Sequence, residues 1–72
     1  MNLSIAPIGV PMKIVKIKIK GEQQKQLANM GFIETANITV VSETVGNLIV
    51  NIKDSRVGLG KDLAQKIIVT PA

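Results

Sequence analysis

Along residues 12–20 the chain sets apolar Met12, Ile14, Val15, Ile17 and Ile19 against Lys13, Lys16, Lys18 and Lys20. A period of two is the mark of a strand buried on one face only. The period slips once, at Ile14-Val15, which predicts a β-bulge there. Val15, Ile17 and Ile19 then share one face with Lys16, Lys18 and Lys20 opposite, while Met12 and Ile14 keep the earlier phase. Gly21 ends the strand. Residues 22–30 are good helix formers, with Glu22 in the first turn where the helix dipole favours an acid, and Leu27 and Met30 expected to point inward. If Met30 is the last helical residue, Gly31 takes the left-handed position after it and Phe32 folds back onto Leu27, the pattern of a Schellman ending.

Glu34-Thr35-Ala36 reads as a turn and residues 37–42 as a strand. With a loop over residues 43–47 and Ser42 opposite Leu48, Val40 faces Val50 and Ile38 faces Ile52 inside, while Thr39 faces Asn51 and Val41 pairs with Ile49 outside. Asp54-Ser55 marks the next turn. Residues 56–60 form a bent strand with Val57 and Leu59 on one face, residues 61–66 a short helical turn with Leu63 and Ala64 inward, and residues 67–70 a final strand ended by Pro71. The expected fold is mainly β: a small, partly open SH3-like barrel of about five strands, with one inserted helix and a short helical turn before the last strand. With no linker, repeat or low-complexity stretch, residues 1–72 make a single domain. A chain this short buries a modest core, so self-association would help it.

Cysteine and histidine are absent. Disulfides, thiolate and imidazole metal ligands, and Cys or His catalysis are therefore excluded. The acids Glu22, Glu34, Glu43, Asp54 and Asp62 are scattered at spacings that match no metal motif, Ser4, Ser42 and Ser55 have no histidine to activate them, and Gly58-Leu59-Gly60-Lys61 is too short for a phosphate-binding loop. No catalytic, cofactor or metal residue is expected. Nine Lys plus Arg against five Asp plus Glu give a net charge of +4, which points to an anionic partner. Nucleic acid is not the expected one, because the sole aromatic, Phe32, is assigned to the core and leaves no stacking platform. The first twelve residues lack the cationic start and apolar run of a signal peptide, being broken by Pro7, Gly9 and Pro11, and no stretch is apolar enough to span a bilayer, so a cytoplasmic location is expected.

What remains is surface. Lys16, Lys18 and Lys20 form either a docking stripe for an acidic partner or membrane headgroups, or a solubilising face that guards against edge pairing. Val41 and Ile49 project from a barrel whose interior is already filled. Either the N-terminal segment with Leu3, Ile5 and Ile8 covers them, or they meet another molecule, a second copy included. Arg56, the only arginine, starts a strand and can reach a partner.

Taken in order, Pro7-Ile8-Gly9, Val15-Lys16-Ile17, Leu27 with Met30-Gly31-Phe32, Ile38 and Val40, Val50 and Ile52, Ser55-Arg56-Val57-Gly58-Leu59, Ala64 and Ile67-Ile68-Val69 resemble the ferrous iron transport protein A (FeoA-like) family across nearly the whole chain. One departure is Thr35-Ala36, where the family often has a Pro-Gly turn. The matched residues are apolar or glycine, so they carry over the barrel and no catalytic residue. The resemblance implies a cytoplasmic accessory protein of bacterial ferrous iron uptake that works by contact with a membrane iron transporter whose soluble part is a GTPase. A stand-alone adaptor or regulatory barrel that binds another protein or nucleic acid is the alternative.

Overall fold

A 3-10 turn over Leu3–Ile5 precedes seven elements in the computed structural model, which describes residues 1–72: β1 (Pro11–Ile17), α1 (Glu22–Asn29), β2 (Asn37–Thr44), β3 (Asn47–Ile52), β4 (Ser55–Gly60), α2 (Lys61–Ala64) and β5 (Ile67–Pro71). The five strands form one antiparallel sheet in the order β4-β3-β2-β1-β5. Fifteen buried residues, all apolar, make the core, and Phe32 is its largest side chain.

The bulge in β1 falls where the alternation slips. Ile14 pairs with Val69 and Lys16 with Ile68, so Val15 is the extra residue in the ladder. Its side chain goes outward, 51% exposed, instead of joining Ile17 and Ile19 on the inner face. Ile17 is half-buried and Ile19 buried. β1 ends at Ile17, so Lys18 and Lys20 lie in the connection to α1, although the Lys18 N–H still donates to the Lys66 carbonyl at 2.7 Å.

α1 is anchored at its end. The Gly31 N–H donates to the Ala28 carbonyl (3.0 Å) and the Phe32 N–H to the Leu27 carbonyl (2.9 Å), the two bonds of a Schellman ending, with Gly31 at φ +102°. Leu27 is the one buried residue of the helix. Met30 is the cap rather than the last helical residue, and it stays 42% exposed instead of turning inward with Leu27. The chain reverses there, and Phe32 takes the interior place.

In the β2–β3 hairpin Thr39 opposes Asn51 and Val40 opposes Val50, as the inward apolar pairing requires. Beyond them a second bulge intervenes: Ser42 pairs with Ile49 and Glu43 with Leu48, which leaves Val41 unpaired. The expected Ser42–Leu48 and Val41–Ile49 pairs are therefore not made. The strands run on to Thr44 and Asn47, and the turn shrinks to Val45-Gly46, with Gly46 at φ +85°. The next turn is Lys53-Asp54, not Asp54-Ser55. Both residues have positive φ (+50° and +61°), the geometry that matches a two-residue turn to the twist of its strands.

The N-terminal segment runs along β5. Asn2 bridges to Ile68, the Val69 N–H donates to the Met1 carbonyl (2.8 Å), and Leu3 is fully buried. Ile5 is 68% exposed and Ile8 more than half exposed, while the Gly9 N–H donates to the Val40 carbonyl (2.8 Å) and so brings the segment to β2 beside Val41. Leu3 joins the core and closes the outer edge of β5. α2 buries Ala64 and half-buries Leu63 as expected, but spans only four residues.

Thr35 carries the one β-branched residue at positive φ (+75°), held by its N–H bond to the Ile14 carbonyl (2.8 Å). The left-handed conformation costs a residue with a Cβ about 1 to 2 kcal/mol, of which glycine would return roughly half through its larger unfolded-state entropy. The Thr35 side chain is exposed. Thr35→Gly is expected to raise the melting temperature by roughly 3 to 6 °C in thermal unfolding followed by circular dichroism; an unchanged or lower value would mean the turn is not strained.

Candidate functional site

No cleft opens into the molecule, and no three acidic side chains lie together in a way that could hold a metal ion. The sequence-derived candidates are all side chains of the outer surface. No helix is long and apolar enough to cross a membrane.

Burial fixes which side chains face out. In β1, Met12 and Ile14 are inward before the bulge and Ile17 and Ile19 are inward after it, so Lys13, Lys16 and Lys18 all point outward. In an unbroken strand Lys13 and Lys16 would fall on opposite faces; the bulge at Val15 puts them on one. Lys66 joins them from just before β5, since Lys16 lies opposite Ile68 and the Lys18 N–H donates to the Lys66 carbonyl. The sequence pattern supplies Lys16 and Lys18, whereas Lys13 and Lys66 join only through the bulge and the β1–β5 pairing. Lys20 is exposed beyond the strand, just before Gly21.

Val41 and Ile49 are both half-buried. Ile49 lies opposite Gly58 of β4, and a Cβ at Gly58 would sit 3.8 Å from Ile49 Cδ1, so the isoleucine covers bare backbone there. Arg56 is exposed on β4, opposite Asn51 at one edge of the sheet. The lysine row and Arg56 thus lie at different ends of the strand order, with Val41 and Ile49 between them. The structure places the six sequence-derived candidates on the outside of the barrel without bringing them into one patch.

The single ion pair is Lys61 Nζ to Glu43 Oε1 at 2.8 Å, between side chains 35% and 43% exposed. A pair this open contributes at most about 1 kcal/mol. Lys13, Lys16, Lys18, Lys20, Lys66 and Arg56 are not ion-paired. Sequence reasoning also missed Met30 and Ile33, which are exposed where α1 gives way to the turn before β2. Their local pattern is that of core residues, and only the reversal at Gly31 sends them outward.

Comparison with known proteins fits this architecture. The FeoA domain profile matches residues 1–71. The iron(II) transport protein A of Clostridium thermocellum is 30% identical with a TM-score of 0.91, over 99% of this chain and 45% of its own length, so this chain spans less than half of that protein. An iron uptake regulatory protein, FeoA, superposes at 26% identity and a TM-score of 0.86, over 100% of this chain and 97% of its own. The zinc complex of Stenotrophomonas maltophilia FeoA, described as a procaryotic SH3 domain protein, shares the fold at 18% identity and a TM-score of 0.82, over 97% of this chain and 89% of its own. Among curated proteins none matches the sequence. The match over residues 1–71 shows that this chain belongs to the FeoA domain family, which is associated with ferrous iron transport.

Proposed function

We propose that this chain is a non-enzymatic, cytoplasmic accessory protein of ferrous iron uptake that acts by touching the GTP-dependent membrane iron transporter. The observation that supports this most is the pairing of family membership with a filled interior: fifteen apolar side chains close the barrel and no cleft remains for a substrate. The absence of both cysteine and histidine leaves protein contact as the simplest mode of action. Ile49, Val41 and Arg56 form the surface first in line for it. Arg56 is exposed on the edge strand β4, two pairs along from the Ile49–Gly58 pair, and arginine is among the residue types enriched at interaction hot spots.

The test is recovery of the transporter from detergent-solubilised membranes by tagged protein. Arg56→Ala and Val41→Ser are each expected to cut recovery by about fivefold or more, the scale of losing one contact that matters, with the circular dichroism spectrum unchanged. Absence of the transporter from the recovered material would contradict the proposal.

A further inference from the structure

We infer that the outward face of β1 and β5 is a docking surface for anionic lipid headgroups. This goes beyond contact with a transporter, because it needs no protein partner.

Four observations converge on it. First, Lys13, Lys16, Lys18 and Lys66 share one face, and none is within ion-pair distance of an acid. Second, the Lys18 N–H donates to the Lys66 carbonyl at 2.7 Å, which holds two lysine backbones together just past the ends of β1 and β5. Like charges gathered at one place gain from a ligand that neutralises them. Third, no acid stands at an outward position of β1 or β5: Glu22 and Asp62 are in the first turns of the two helices, Glu34 and Asp54 are in turns, and Glu43 pairs with Lys61. Fourth, the bulge pushes Val15 out between Lys13 and Lys16, half exposed.

The fourth observation selects among anionic partners. An aliphatic side chain set between cations suits the boundary between headgroups and acyl chains, where it can be buried while the ammonium groups stay among the phosphates. It has no use on a phosphodiester backbone, and the buried Phe32 leaves no ring on which a base could stack. The cations on this face are all lysines, compact charges without the fork that recognises one carboxylate or phosphate, and they fit a fluid array of headgroups.

Each lysine held near an anionic surface strengthens binding about fivefold, and the attraction is screened by salt. The experiment is co-sedimentation of the full chain, at physiological ionic strength, with phosphatidylcholine vesicles that contain or lack phosphatidylglycerol. Binding is expected only where phosphatidylglycerol is present. Lys18→Gln with Lys66→Gln should weaken it about 25-fold, whereas Lys53→Gln with Arg56→Gln, which removes the same charge at the other end of the sheet, should change it less than about twofold. Val15→Ser should weaken it as well.

Melting of the Lys18→Gln, Lys66→Gln variant within a few degrees of the parent is expected, because both side chains are exposed and unpaired, and shows that lost binding is not lost folding. Lys16→Gln alone, with about a fivefold loss expected, gives an independent reading. The inference is overturned by equal binding to both vesicle types, by equal losses from the two charge-matched pairs, or by an oligonucleotide that binds more tightly than the vesicles.

Discussion

Phe32→Ala is expected to lower the thermal midpoint of the protein more than any other single truncation of its core. Phe32 is the largest fully buried side chain, and its N–H closes the helix ending onto the Leu27 carbonyl. Truncating a buried phenylalanine to alanine costs about 3 to 5 kcal/mol, through lost transfer energy and the cavity left behind. The total stability of a 72-residue domain is roughly 4 to 11 kcal/mol, so this one change removes a large part of it. In a thermal melt the midpoint should fall by on the order of 20 °C. Phe32→Leu keeps most of the volume and should cost less than half as much. If the alanine variant melts within a few degrees of the parent, the core is not organised around that ring.

Gly31→Ala is the second large effect, and its two causes are separable. The backbone at φ +102° is one that residues with a Cβ adopt at a cost of about 1 to 2 kcal/mol. An added Cβ would also stand 3.0 Å from Lys53 Cδ and 3.2 Å from Lys53 Cγ, because the aliphatic stem of Lys53 lies across the glycine. That stem belongs to an exposed, flexible side chain that can swing aside, so the backbone should dominate. Gly31→Ala is expected to lose about 1.5 to 2 kcal/mol in urea unfolding, and adding Lys53→Ala should restore only a few tenths. Full restoration by the second change would show that the close contact, not the left-handed backbone, fixes glycine here.

What the sequence states locally, it states well. The helix ending is legible to the residue, since a glycine followed by an apolar residue has few other uses after a helix, and both bonds form as that signal requires. The β1 bulge is legible because lysines on one side make a slipped period visible. The bulge at Val41 has no such signal: Val40 and Val41 are both apolar, so either can be the inward residue until the partner strand decides. The turn at Val45-Gly46 hides for a similar reason, since a valine at a hairpin tip looks like strand sequence. Thr35 gives no sign of its positive φ, which the Ile14 carbonyl imposes from a distant strand.

The surface is less legible than the core, for a physical reason. Inward positions must be apolar, so their pattern survives in one dimension, while outward positions are free and take their meaning only from neighbours across the sheet. Lys66 sits in what reads as a helical turn, and only the pairing of β5 with β1 sets it beside Lys18. Met30 and Ile33 carry the opposite lesson, apolar by type but outward by position.

The claim on which the account rests is that this barrel acts through its exterior and keeps its interior closed. The direct measurement is a two-dimensional amide NMR titration of the labelled chain with the cytoplasmic GTPase part of the transporter. Shifts concentrated at Val41, Ile49, Arg56 and their outward neighbours, with Val50, Ile52 and Ile67 unmoved, are the predicted result. A spectrum that does not change at saturating partner, or one in which the core amides move first, would contradict it.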